Sequence, residues 1–143
     1  MRFVRFTVAL SVIVAGLLLA APAVAHHSFA GAFDASQPME LKGTVTKFEW
    51  INPHALIHIA VKKPDGQVEN WEAEIGPPNS LFRRGWTKNS VPPGTEVVIS
   101  GYRAQDPRML RLNGVHILLA DGRRLFAGEP GTGAPEGPVP TKK

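Results

Sequence analysis

From residue 39 onward, apolar and polar side chains alternate in short runs punctuated by Gly, Pro and Asp, the period-2 pattern of strands that bury one face. In MELKGTVTKFEW (39–50) Leu41, Gly43 and Val45 share a face, and Phe48 and Trp50 continue it only after a slip of register. That slip predicts a bulge near Lys47. In HALIHIAVKK (54–63) Ala55, Ile57, Ile59 and Val61 oppose His54, Leu56, His58 and Ala60. The turn KPDGQ, with Asp65-Gly66 at its centre, returns the chain as a hairpin into VENWEAEI (68–75). There Trp71, Ala73 and Ile75 face one way, and Asn70, Glu72 and Glu74 the other.

The period then changes. PPNSLFRRGW (77–86) offers Asn79 or Ser80 as a cap and Gly85 as a stop, which predicts a helix of about two turns. VPPGTEVVISGYR (91–103) opens on a turn and becomes a strand with Val97, Ile99 and Gly101 on one face. RMLRLNGVHILLADGRRLF (108–126) reads as one more strand, or a broken pair, ending in an ADGR turn and a short return. Three strands, a short helix and two more strands give a mainly β chain. The order is that of an OB-type five-stranded small barrel with the helix between strands 3 and 4. A small sandwich is the competing architecture.

Composition limits what surrounds this domain. The chain has 143 residues and no cysteine, so disulfides, thiolate nucleophiles and thiolate metal sites are excluded together. Arg2 and Arg5 precede the apolar run FTVALSVIVAGLLLA, and APAVA supplies Ala23 and Ala25 as small residues before a cut. The expectation is a secretory signal peptide over 1–25, cleaved between Ala25 and His26, and a periplasmic protein without a membrane segment after cleavage. An uncleaved anchor is the alternative. A mature N-terminal arm (26–38), the barrel domain (39–127) and a disordered Gly- and Pro-rich tail (128–143) follow. Losing two of the 16 basic residues against 12 acidic ones leaves a net charge of +2. With no basic run longer than a pair, nucleic acid is not an expected partner.

The segments HHSFAGAFD, LKGTVTKFEWINPH, NWEAEIGPPNSLFRRGWT, VVISGYRA and DGRRLFAG, in that order, resemble a family of exported bacterial proteins, domain of unknown function 6152. The resemblance covers about residues 26–128 and implies a small exported protein. It carries over no catalytic residue.

The chemistry is therefore argued from side chains. A histidine at a free N-terminus presents its amine and its ring Nδ1 as a chelate, and nitrogen-only ligation suits Cu(II). His26 and His27 are the candidates, with His54, His58 or His116 as the source of a further nitrogen. His54 and His58 lie four residues apart on one strand, roughly 13 Å between Cα atoms, too far to share one ion easily. His54, in the loop after Pro53, is the better placed. The metal set is thus His26, His27 and His54, with Cu(II) as the cofactor. Against it stands a polar leader end with no metal at all.

For a metal-free ligand the candidates are Trp71, Glu72, Arg83 and Arg84. Their bland counterparts are core packing for the tryptophan and pairing of the arginines with Glu72 or Glu74. The serines show no nucleophile elbow or triad spacing, so a non-catalytic protein is expected. Two functions stand: a periplasmic copper-binding protein, and an OB-type module that binds a small ligand or partner protein without metal.

Overall fold

The computed structural model describes residues 29–135 and Val139; the leader, His26 and His27 lie outside the described residues. A helical turn, α1 (Phe29–Ala32), leads into β1 (Phe33–Glu49), followed by β2 (Leu56–Lys62), β3 (Val68–Glu74), α2 (Pro78–Phe82), β4 (Glu96–Ala104), β5 (Arg111–Leu119) and β6 (Arg124–Phe126). They form one six-stranded sheet in the order β3-β2-β1-β4-β5-β6. All of these neighbours are antiparallel, and β3 also pairs in parallel with β5 through Glu72–Arg111, Ala73–Leu112 and Glu74–Asn113. Pairing thus returns from β3 through β5 and β4 to β1.

The strand count, the competing architecture and the helix need correcting. Six strands stand where five were expected, because the stretch 108–126 breaks at the Asp121-Gly122 turn into β5 and the three-residue β6. A single sheet, not two packed ones, excludes the sandwich. The helix between β3 and β4 is also shorter than expected, and neither Asn79 nor Ser80 caps it. Its N-cap is Pro77, without a side-chain bond, and Pro78 opens the helix, where a missing N–H costs nothing. Gly85 follows at φ 85° and turns the chain away.

The alternation seen along the chain is the inside–outside alternation of the sheet. Ile57, Ile59, Trp71, Ala73, Ile75, Val97, Ile99, Leu112 and Ile117 are buried in one cluster, completed by Leu81 and Val91 and by Trp86 beside α2. No polar or charged residue is fully buried among the described residues. The expected bulge in β1 falls between Val45 and Lys47, and a second in β4, between Ser100 and Gly101, keeps the strand against β5 through a shift of register.

The described residues on either side of the core strands make specific contacts with it. The arm expected over 26–38 supplies α1 and the start of β1. Phe29, Phe33, Tyr102, Ala104, Val115 and Val139 make a second apolar cluster. After β6 the segment Ala127–Pro135, whose residues from 128 belong to the expected tail, lies as a strap against the sheet. Ala127 N–H and Gly128 N–H both donate to Val115 O (2.8 and 3.2 Å), Gly76 N–H donates to Ala127 O (2.8 Å), and Phe29 N–H donates to Thr132 O (3.2 Å). Arg84 donates to Gly128 O at 2.8 Å and Trp86 Nε1 to Phe126 O at 3.1 Å.

Candidate functional site

Polar side chains gather on the outward face of β2, β3 and β5. The loop from Trp50 to His54 ends where Ala55 exchanges backbone bonds with Ile75 and Gly76, Ile75 N–H to Ala55 O at 3.0 Å and Ala55 N–H to Gly76 O at 3.3 Å. With Ala55 fixed inward, His54 stands outward beside Glu74. The β2–β3 register sets Leu56 against Glu74 and His58 against Glu72, and the parallel β3–β5 register sets Glu72 against Arg111. Residues two apart on a strand share a face, so one band carries all of them.

The band carries two ionic clusters, one around Glu74 and Arg111 and one around Glu49. Glu74 Oε1 lies 3.0 Å from His54 Nδ1, and Glu129 Oε2, from the strap, lies 3.3 Å from His54 Nε2. Glu74 Oε2 accepts a bond of 2.5 Å from Arg111 Nη2. Arg111 Nε is 3.0 Å from Glu72 Oε1, an ion pair without hydrogen-bond geometry, so this buried N–H finds no acceptor among the described residues. On the β1 side, Glu49 Oε1 meets His58 Nε2 at 2.7 Å and Lys47 Nζ at 3.0 Å. The bonds from Lys47 and then His58 hold the Glu49 carboxyl below its ordinary range, against a smaller desolvation effect. Side-chain exposures of 16% for Glu74 and 26% for His54 keep this part of the network out of bulk solvent, where Coulombic attraction is screened less.

The residues singled out from sequence are placed unequally. His26 and His27 lie outside the described residues. His54 sits in its loop as expected, with Nδ1 and Nε2 each facing a carboxylate. Among the described residues no group of three or more His, Asp or Glu converges to hold one. His58 and His116 are not partners across paired strands, because β2 and β5 do not pair. His116 instead packs at 5.4 Å from the Phe126 ring. Desolvation there, followed by the nearby Arg124 charge, lowers its pKa from the ordinary value.

The four ligand candidates do not share a surface. Trp71 points into the core at 4% exposure, with Arg103 stacked 5.0 Å from its ring and Nε1 donating to Glu69 at 2.9 Å. Glu72 is on the outward band. Arg83 reaches Ser80 Oγ at 3.3 Å, and Arg84 binds the strap while its guanidinium stacks 4.9 Å over Phe126. Neither arginine pairs with Glu72 or Glu74, both of which are taken by Arg111. Arg111, Glu49 and Glu129 are the members that sequence reasoning missed. Alternation places Arg111 opposite the inward Leu112, but its partner strand depends on a parallel pairing with no local signal, and Glu129 is embedded in Gly and Pro.

No curated protein matches the chain. A similar solved structure is that of the mitochondrial single-stranded DNA binding protein Rim1 from S. cerevisiae, with 18% identity, a TM-score of 0.44, and coverage of 67% of this chain and 98% of that one. The profile of DUF6152, a family of unknown function, matches residues 15–113, from inside the expected leader to β5. With more than half of its length matched, the chain belongs to that family.

Proposed function

We propose that the chain is an exported, periplasmic, non-catalytic OB-type barrel module that binds a basic segment of a partner protein on the outward face of β2, β3 and β5. The observation that carries this is the composition of that face: the carboxylates Glu49, Glu72, Glu74 and Glu129 against the fixed cations Lys47 and Arg111. Four carboxylates against two fixed cations leave an excess of negative charge among the permanently charged groups, which attracts positive charge. The barrel description rests on the ring of pairings β1–β2–β3–β5–β4–β1 with α2 between β3 and β4. Export rests on the leader at residues 1–25.

The same face is poorly suited to single-stranded nucleic acid. Its carboxylates repel phosphate, and base stacking needs exposed rings, whereas Trp71 is buried. A serine hydrolase reading also lacks support. Ser100 neighbours His116 across β4 and β5, yet its hydroxyl donates to Glu40 at 3.3 Å.

The test is an amide-shift titration of the mature chain with tetralysine and, separately, with tetraglutamate. Tetralysine should move the amides of Lys47, Glu49, His58, Glu72 and Glu74 at low ionic strength and lose its effect at high salt. Equal response to both peptides, or none on this face, overturns the proposal.

A second reading, Cu(II) held by His26 and His27, is favoured by one contact. Phe29 N–H bonds the Thr132 carbonyl, and Thr132 Oγ1 donates to Glu129 O at 3.0 Å, so the start of the described chain lies beside the strap that carries a carboxylate. A chain beginning at His26 should bind Cu(II) tightly, and acetylation of its N-terminal amine should abolish this by removing that nitrogen from the chelate. Equal affinities would remove the reading, as would a mature mass that does not begin at His26.

A further inference from the structure

Between β5, β6 and the strap lies a cavity of about 290 Å³. Its walls are Val115, Phe126, Pro130, Ala134 and Pro135, with Gly128 between them and Glu129 as the one charged lining group. The backbone around it is already satisfied: Val115 O accepts from Ala127 and Gly128, and Gly128 O accepts from Arg84. The walls therefore present apolar surface, and stacking by Arg84 holds the Phe126 ring in place.

Gly128 is the informative residue. Its φ is not among the positive values that favour glycine, so backbone conformation does not account for it. A Cβ at this position would stand 3.2 Å from Phe126 Cζ and 3.4 Å from Val115 Cγ1, against two of the cavity walls. The direction a Cβ would take is already filled by Phe126 and Val115, so close packing requires glycine here, and a larger side chain would push those two walls into the cavity.

We propose that this cavity is a binding site for a small planar aromatic molecule carrying an amino group. An apolar cavity of roughly 150 Å³ accommodates benzene, so this volume suits a fused two-ring body. Phe126, with Arg84 over its ring and His116 beside it, and the rigid Pro130 and Pro135 supply apolar walls for such a body. Glu129 supplies the charge selection: its carboxylate touches His54 through one oxygen, and a carboxylate accepts at both. A protonated amine is drawn to it and an anionic group repelled.

The site shares Glu129 with the basic-peptide face, but its probes are different molecules and are followed at different amides. Tryptamine, indole and indole-3-acetate are titrated into the full mature chain while the amides of Val115, Phe126 and Gly128 are followed. Tryptamine should give saturable shifts there, with indole-3-acetate weaker by about tenfold or more, a difference of roughly 1.4 kcal/mol. Glu129→Gln should bring the two probes closer together. Gly128→Val should abolish binding in a chain that still melts cooperatively; if that variant does not fold, Ala134→Leu fills the cavity from the opposite wall and should do the same. Absence of saturable shifts, shifts centred elsewhere, equal affinity for amine and acetate, or unchanged binding in the folded filled variant each overturns the proposal.

Discussion

Gly101 shows how strictly a single residue can be dictated by a neighbouring strand. A Cβ built on it would fall 1.9 Å from the Asn113 carbonyl oxygen and 2.9 Å from its carbon, and backbone in a paired strand has no room to retreat. Gly101→Ala is expected to lower stability by on the order of 3 kcal/mol or to prevent folding, as read by urea denaturation. His116 is the informative titrating residue. Burial and Arg124 disfavour its charged form, so its folded pKa lies below that of the unfolded chain. The stability it contributes is present above the ordinary histidine range and is lost as pH falls through the folded value. Between about pH 7.5 and 5, where carboxylates stay ionised, the wild-type protein should lose more stability than His116→Gln. Parallel pH profiles of the two chains would refute this.

At the scale of elements, β2 and β3 were legible because both signals agreed. Alternation put Ile57, Ile59, Trp71 and Ala73 inward, and Asp65-Gly66 marked the turn between the strands. The β1 bulge was legible for the same reason, since a slip in the apolar period has few other physical causes. Helix α2 was only half legible: Gly85 marked its end, but the cap assigned to Asn79 or Ser80 overlooked Pro78, which is pre-shaped for the first helical position. The β3–β5 pairing left no trace in local pattern, and with it went Arg111. Arg111→Met removes the cation between Glu72 and Glu74 and leaves two carboxylates facing each other. The expected cost is on the order of 1 kcal/mol, limited by partial exposure, and Glu72→Gln in the same chain should recover part of it. Additive losses in the double variant would refute this account of the network.

At the scale of the whole molecule, the first described turn of the chain meets the segment after β6. The strap joins α1 through Phe29 and Thr132, the turn after α2 through Arg84 and Gly128, and the loop before β2 through Glu129 and His54. Its hold on the sheet is local and polar, whereas β1 and β4 pair over eight registered positions. Local opening follows the weaker attachments. Glu129→Gln should therefore speed hydrogen exchange at the amides of Ala127 and Gly128 while leaving Ile99 and Leu41 unchanged. Uniform acceleration across the sheet would mean that the strap is part of the global folding unit.

The amino-acid sequence by itself determined the inward and outward faces, the hairpin, the bulge in β1, the helix between the third and fourth strands, and the family resemblance. These depend on spacing between residues close in the chain, where the strand period and turn chemistry act directly. Only the tertiary structure decided that six strands share one sheet, that Trp71 and Glu72 serve opposite faces, that His54 is clasped between Glu74 and Glu129, and that a Gly- and Pro-rich segment encloses a cavity. Each of those depends on groups brought together from distant parts of the chain, from β3 to β5 or from residue 54 to residue 129. Charge and apolar surface attract without recording in the sequence which partner they will meet.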